Sequence, residues 1–108
     1  IADINKYQSD AAFAVVTGDL THWGEPDSYV NFAEAMAALT IPYIAMVGNH
    51  DKRANCLEAL KAAPRDANGF VQGTKTTEHG LFVFLDTLDE TSHAGEMCAK
   101  RFDWLATT

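Results

Sequence analysis

Two short apolar runs in this chain each end in a glycine, and polar side chains that can bind metal follow. The first run leads through Gly18 into Asp19, and the second leads through Gly48 into Asn49 and His50. A carboxylate, an amide oxygen and an imidazole suit a hydrolytic metal centre. Ligands of open α/β sheets bind beyond the carboxyl ends of the strands. If the two runs are neighbouring parallel strands, these side chains therefore meet in one crevice.

The segments that must position these residues predict an α/β fold. Ala12–Thr17 is a nearly continuous apolar run, typical of a strand buried on both faces. Pro26, flanked by acidic residues, predicts the start of a helix. Tyr43–Val47 predicts the next strand, so the crossover should be right-handed and the pairing parallel. The apolar face of the helix is predicted to comprise Tyr29, Phe32, Ala33, Met36 and Leu39.

The second half of the chain predicts shorter elements and more strand. A polar loop is followed by a short helix that ends before Pro64, and the apolar run Leu81–Leu85 predicts a buried strand. We expect Asp86, at the end of that strand, to serve as a cap or turn residue. The other predicted segments are a loop at Asp51–Asn55, a helix at Cys56–Lys61, strands at Phe70–Val71 and Thr74–Thr77, a turn at Glu78–Gly80, a loop at Thr87–Gly95 and a helix at Glu96–Leu105.

Composition restricts the classes of function. The net charge of −7 and the scattered lysines and arginines argue against a nucleic-acid polymer as partner. No apolar run reaches eighteen residues, so no membrane span is predicted. Cys56 and Cys98 match no zinc-binding spacing. Two reduced thiols in a cytoplasmic protein are the simpler interpretation, and a disulfide between them is the alternative.

The polar blocks at the two strand ends resemble a known family. Gly18-Asp19 and Gly48-Asn49-His50-Asp51 are similar to two signature blocks of the calcineurin-like metallophosphoesterases. The segments 18–29 and 85–105 look most like the branch that hydrolyses cyclic nucleotides and glycerophosphodiesters. The resemblance implies that the chain is part of a four-layer α-β-β-α sandwich with mostly parallel strands and flanking helices. It also implies a centre of two metal ions, for which manganese, iron, zinc and cobalt are all suitable.

The same resemblance implies roles for three residues. Asp19 corresponds to the carboxylate that bridges the two metal ions, and Asn49 corresponds to a ligand of the second ion. His50 corresponds to a histidine that contacts the phosphate, and an imidazole there can protonate the leaving alkoxide. His22 departs from the family pattern and is a candidate contact of the substrate or of the metal ligands, with a solvated loop histidine as the alternative. Taken alone, Asp19 is expected to be a helix cap or turn former. A turn former is the alternative for Asn49, and Asp51 is expected to orient its loop.

Family motifs that lie outside these blocks are absent. The chain has neither the initial Asp-x-His pair nor the final Gly-His-x-His block, so residues 1–108 are expected to be an internal piece of one domain. A short natural homologue is the alternative. Such a piece should bind metal weakly and be inactive. His22 and Trp23 stand where the protein phosphatases of this superfamily have Asp and Arg, which argues against a protein phosphatase.

The function predicted for the parent protein is metal-dependent hydrolysis of a small-molecule phosphodiester, either a cyclic nucleotide or a glycerophosphodiester. A phosphomonoesterase on the same scaffold is one alternative, and a metal-free binding or scaffold protein is another. No membrane or nucleic-acid partner is expected. Assembly into a homo-oligomer is left open.

Overall fold

The computed structural model describes residues 1–108 as four helices and four strands. Short elements alternate with loops, and the loops that follow the first two strands carry the polar blocks. The elements are α1 (Ala2–Tyr7), β1 (Ala14–Val16), α2 (Pro26–Met36), β2 (Tyr43–Ala45), α3 (Arg53–Ala59), β3 (Gly73–Thr77), β4 (Gly80–Phe84) and α4 (Ala99–Thr107). None of the helices combines the length and the apolar character needed to cross a bilayer.

Strands β1 and β2 form the predicted parallel pair. Ala14 lies opposite Tyr43, and Val16 lies opposite Ala45. The amide of Met46 extends the ladder by donating to the carbonyl oxygen of Val16 at 2.9 Å. Because the strands run in the same direction, their carboxyl ends meet at one edge, as the sequence predicted. Both strands are shorter than the apolar runs that contain them. The prediction that the first run is a strand buried on both faces was wrong, because Val15 is 39% exposed and no residue of β1 is buried.

Helix α2 connects the two strands and turns the first part of its predicted apolar face toward the core. The helix ends at Met36, so Leu39 lies outside it, and neither Met36 nor Leu39 belongs to the core. The helix begins at Pro26, and Asp27 lies in its first turn. An acidic side chain there interacts favourably with the helix dipole. Tyr29 is fully buried, and Phe32 and Ala33 pack against the core. The core itself comprises Tyr29, Ala45, Val47, Cys56, Leu60, Ala63, Val71 and Leu88. Burial raises the pKa of Cys56 to about 12, so its thiol stays protonated, and neither cysteine is in a disulfide.

Strands β3 and β4 form a separate antiparallel hairpin, so the α/β fold contains one parallel pair and one antiparallel pair. The prediction that Leu81–Leu85 is a buried strand was wrong in its burial. Leu81, Phe82 and Val83 are 52%, 43% and 39% exposed, and only Phe84 of the strand is buried. The reason is that β3 and β4 pair only with each other in a two-stranded sheet, and no helix packs against this sheet. A continuous apolar run predicts a strand, but it does not show whether another element packs against that strand.

Three other boundaries differ from those that the sequence predicts. Helix α3 begins at Arg53, inside the predicted loop. Val71 is not in a strand, since its amide donates to the Asp86 carboxylate at 2.8 Å. Helix α4 begins at Ala99 and not at Glu96. The amide of Glu96 instead donates to the carbonyl oxygen of Thr87, which closes the preceding loop.

A buried ionic cluster joins the second half of the chain to α3. Asp86 is fully buried, and its carboxylate accepts hydrogen bonds from Arg53 Nε at 2.6 Å and Arg53 Nη2 at 3.0 Å. Arg101, only 1% exposed, donates to the Asp86 carbonyl oxygen and to the Leu88 carbonyl oxygen. Both guanidinium groups lie about 5 Å from the ring centre of Phe70. The predicted turn role of Asp86 is confirmed, since its Oδ1 accepts a hydrogen bond from the Leu88 amide at 3.0 Å. The prediction missed its second role as a buried ion-pair partner.

The Asp86 cluster predicts a stability loss on mutation and at low pH. Asp86→Ala leaves two guanidinium groups without their shared carboxylate, which should lower the free energy of unfolding by about 3–5 kcal/mol. Burial raises the pKa of Asp86, but hydrogen bonds from Arg53 and two backbone amides outweigh burial, so the pKa lies below 3.8 in the folded protein. The carboxylate therefore contributes stability above pH 3.8, and this contribution is lost as the pH falls through the folded-state pKa.

Urea unfolding between pH 2 and pH 7 measures both effects. The control is Asp103→Ala, which changes an exposed carboxylate on the same chain segment as Arg101. It should change the free energy of unfolding by less than about 0.5 kcal/mol. Equal losses in the two variants would contradict the role given to the Asp86 cluster.

Candidate active site

The loops after β1 and β2 touch at two glycines. A Cβ atom on Gly18 would lie 2.5 Å from the Gly48 nitrogen, and one on Gly48 would lie 2.5 Å from the Asp19 nitrogen. Contacts this short with backbone atoms leave no room for any side chain. Gly18 also has a φ of 117°, a conformation that disfavours other residues. The two glycines of the sequence blocks therefore allow the two strand ends to lie against each other.

Asp19 has the only positive φ among the non-glycine residues, at 51°. Aspartate tolerates this left-handed conformation better than most residues. Its side chain is turned toward the second loop, where Oδ1 accepts a hydrogen bond from the His50 amide at 3.1 Å. The side chain is exposed at the edge of the sheet. This geometry leaves lone pairs on both carboxylate oxygens for a further ligand.

The carboxylate of Asp51 connects the two loops from the inside. It is 2% exposed, and Oδ2 accepts hydrogen bonds from the amides of Leu20 at 3.1 Å and Gly48 at 2.8 Å. Its Oδ1 accepts hydrogen bonds from the Thr21 amide at 3.2 Å and from the Tyr29 hydroxyl at 3.0 Å. The expectation that Asp51 orients its loop is confirmed, and the structure extends it, because the same carboxylate also fixes the loop after β1.

Tyr29 links this carboxylate to the helix. Burial raises the pKa of Tyr29, so its hydroxyl stays protonated and donates to Asp51. The same oxygen accepts a hydrogen bond from the Lys52 amide at 2.8 Å. The fully buried aromatic residue of α2 therefore determines the position of the turn that carries Asn49 and His50.

His50 and His22 lie together at the mouth of a cleft of about 230 Å³. The His50 Nδ1 lies 2.9 Å from the His22 carbonyl oxygen, and because a carbonyl only accepts, Nδ1 carries the proton. The Nε2 atom is thereby left free for a ligand. The two rings are stacked with centres 5.1 Å apart. Trp23, which also lines the cleft, contacts His22 edge to face.

Asn49 meets a residue from the second half of the chain. Its Nδ2 lies 2.8 Å from Nδ1 of His93, and because the amide nitrogen donates, the proton of a neutral His93 ring is on Nε2. The Oδ1 atom of Asn49 remains available for a metal ion. His93 did not appear among the site residues predicted from the sequence. The signal that could have identified it was the similarity of the segment around it to the family.

The loop that brings His93 to the cleft is held at both ends. Leu88 and Gly95 form an antiparallel bridge, and Arg53 ties Leu88 and Glu90 to α3. Hydrogen bonds from the Thr91 and Ser92 hydroxyls to the Asp89 carboxylate shape the turn and lower the pKa of Asp89 to about 2. The Asp86 cluster therefore positions one wall of the cleft.

The donor atoms present fit part of a metal centre. Asp19 and Asn49 each offer an oxygen at adjoining strand ends, and oxygen donors suit hard and intermediate divalent ions. No group of three or more His, Cys, Asp or Glu side chains is arranged to hold an ion. The chain therefore supplies two candidate ligands and not a complete coordination shell. All four residues predicted from the sequence, Asp19, His22, Asn49 and His50, lie at this one edge.

Comparison with known proteins agrees with the geometry. Residues 2–107 match the family described as calcineurin-like phosphoesterase. The chain is 46% identical over 107 residues to a protein of Rhodopseudomonas palustris named as a probable cyclic nucleotide phosphodiesterase. It is 35% identical over 101 residues to a cAMP/cGMP dual specificity phosphodiesterase of Mycobacterium tuberculosis. It is 31% identical over 61 residues to a glycerophosphodiester phosphodiesterase of Enterobacter lignolyticus.

The matched regions are only part of each relative. The alignments cover 97%, 85% and 56% of this chain but 39%, 30% and 22% of the three relatives, in the same order. The chain thus corresponds to well under half of each of these proteins.

The contact between the two glycines predicts a difference between matched alanine variants. Gly18 and Gly80 both have positive φ, at 117° and 140°, but a Cβ on Gly80 would meet no atom within 4 Å. Both Gly18→Ala and Gly80→Ala should lose about 1–3 kcal/mol of unfolding free energy from backbone strain. Gly18→Ala should lose roughly 1–3 kcal/mol more, because its Cβ cannot avoid the Gly48 backbone. Urea unfolding of the two variants measures the difference, and equal losses would contradict the close approach of the loops.

Proposed function

Because the chain belongs to the calcineurin-like phosphoesterase family, we propose that the natural protein containing it hydrolyses phosphodiesters in a metal-dependent reaction. The substrate class is a cyclic nucleotide or a glycerophosphodiester, as the names of the relatives suggest. The observation that carries the proposal is the meeting of Asp19, Asn49 and His50 at one sheet edge, with Asp51 bonded to both loops.

In this proposal Asp19 and Asn49 are metal ligands. The other ligands of a two-ion centre come from residues outside 1–108, since two side-chain donors are too few for two ions. Bound divalent ions supply Lewis acidity for the attack of water on phosphorus. The metals are manganese, iron, zinc or cobalt, all of which accept carboxylate, amide and imidazole ligands. Residues 1–108 without the other ligands would bind metal weakly and be inactive.

His50 is the proposed catalytic residue of this chain. Its Nδ1 proton is held by the His22 carbonyl oxygen, so Nε2 is the atom that can contact the phosphate. When protonated, Nε2 can donate a hydrogen bond to a phosphoryl oxygen and pass a proton to the leaving alkoxide. His22, stacked on His50, provides a second substrate contact from the same side of the cleft.

A metal-free binding or scaffold protein on the same scaffold is one alternative, and it predicts that the full natural protein neither binds metal nor hydrolyses diesters. A phosphomonoesterase is the second alternative, and the relative rates on mono- and diesters separate it from the diesterase. A cytoplasmic location is also predicted, and it suits the two free thiols. The substrate is predicted to be a small molecule, with neither a nucleic-acid polymer nor a membrane as partner. Whether the protein forms a homo-oligomer is left open.

The proposal predicts metal-dependent turnover by the full natural protein. Chelation should abolish hydrolysis of 3′,5′-cyclic AMP, and Mn²⁺ should restore it. His50→Gln should lower kcat/KM by about 10²–10⁴-fold, the usual contribution of a positioned proton donor. Asp19→Asn should lower activity by at least about 10-fold and raise the Mn²⁺ concentration needed for half-maximal rate. Steady-state assays on 3′,5′-cyclic AMP and on p-nitrophenyl phosphate measure these effects and the diester preference.

The matched control is His79→Gln, since His79 lies in the exposed turn between β3 and β4 and lines no cleft. It should retain the wild-type rate. Hydrolysis that survives chelation, or equal rates for His50→Gln and His79→Gln, would contradict the proposed function. A higher kcat/KM on the monoester would favour the phosphomonoesterase.

A further inference from the structure

Trp23 is an exposed aromatic side chain at the rim of the cleft. It is 67% exposed, the highest value among the large hydrophobic residues of the chain. It is also the one hydrophobic residue among the ten that line the cleft with His50 and Asn49. Burying an indole in the core would be favourable, so its exposure here is not explained by packing. The feature that an exposed indole offers is a flat apolar surface next to the polar site.

The position of Trp23 is fixed relative to the proposed phosphate contact by ring packing. Its ring meets the His22 ring edge to face, with centres 4.4 Å apart and an interplanar angle of 76°. His22 in turn stacks on His50 with centres 5.1 Å apart. His22 therefore lies between the indole and His50 and contacts both rings. Most of the indole surface remains open to a ligand.

The remaining lining of the cleft is polar. It includes Lys52, Thr91 and Ser92 besides the histidines and Asn49. The two acidic residues of the lining already have partners, since the Asp51 carboxylate binds backbone amides and the Glu90 carboxylate binds Arg53. A ligand that matches this lining has an anionic, hydrogen-bonding end near His50 and a flat aromatic end near Trp23. A nucleotide has both ends, whereas a glycerophosphodiester has the phosphate without an aromatic group.

We propose that Trp23 is the stacking platform for the nucleobase of a nucleotide substrate, and that it makes the site prefer nucleotides over glycerophosphodiesters. This inference rests on the proposed function for the identity of the phosphate end. Stacking on an aromatic side chain tolerates any base, because every base has a π face. The platform therefore separates nucleotides from other phosphodiesters but discriminates weakly between adenine and guanine.

Binding of the product-like ligand AMP tests the inference without requiring turnover. The full natural protein with Mn²⁺ is titrated calorimetrically with AMP, GMP and inorganic phosphate. Trp23→Ala should weaken AMP and GMP by about tenfold, the loss expected for one base–aromatic stack, and should leave the affinity for inorganic phosphate within twofold. Trp23→Phe keeps an aromatic ring and should bind AMP with an affinity within about threefold of the wild-type value.

The matched control is Trp104→Phe, which changes a tryptophan that lines no cleft. It should bind all three ligands as the wild type does.

Tryptophan fluorescence gives a second measurement that needs no alanine variant. AMP should quench the emission of the wild type and of Trp104→Phe, and the quenching should be lost in Trp23→Phe. The inference is overturned if the wild type does not bind AMP, if Trp23→Ala leaves the ratio of AMP to phosphate affinity unchanged, or if quenching persists in Trp23→Phe. If the protein hydrolyses diesters but Trp23→Ala leaves the ratio of AMP to phosphate affinity unchanged, the stacking role of Trp23 is refuted and the proposed function stands. If AMP binding depends on Trp23 but no diester is hydrolysed, the proposed function is refuted and the stacking role stands.

Discussion

The buried carboxylate of Asp51 is the interaction on which the geometry of the site depends. It accepts hydrogen bonds from amides on both strand-end loops and from the hydroxyl of Tyr29. A buried carboxylate is costly unless its lone pairs are used, and here both oxygens are used more than once. Since each unsatisfied buried donor costs about 1–3 kcal/mol, the loops cannot separate without a substantial loss of stability. The short contact between Gly18 and Gly48 is the steric counterpart of these hydrogen bonds.

The other wall of the cleft depends on a second buried carboxylate. Asp86 holds Arg53 on α3 and Arg101 on α4, and Arg53 also binds Glu90, three residues before His93. His93 reaches Asn49 from this loop. The site is therefore assembled from two halves of the chain, each arranged around one buried acid. Because these two buried acids hold the backbone, the Asp19 carboxylate keeps lone pairs and His50 keeps its Nε2 atom for a ligand.

The sequence predicted the parts of the fold that have local signals. The apolar runs that end at Gly18 and Gly48, with one amphipathic helix between them, were sufficient to predict a parallel pair with polar residues at one edge. The exposure of β4 could not be predicted, because an apolar run does not indicate what covers it. The pairing of Asp86 with Arg53 and Arg101 was missed as well. Its partners are 33 and 15 residues away, and no periodic pattern connects residues at such distances.

The most direct test of the central claim is a crystal structure of the full natural protein with Mn²⁺, with data collected at the manganese absorption edge. We expect anomalous peaks at the edge formed by the loops after β1 and β2, with a carboxylate oxygen of Asp19 and Oδ1 of Asn49 in the coordination shell. Nε2 of His50 should face the open side of the same site. Anomalous peaks elsewhere, or none at this edge with Mn²⁺ present in excess, would contradict the assignment of these residues to a metal-dependent phosphodiesterase site.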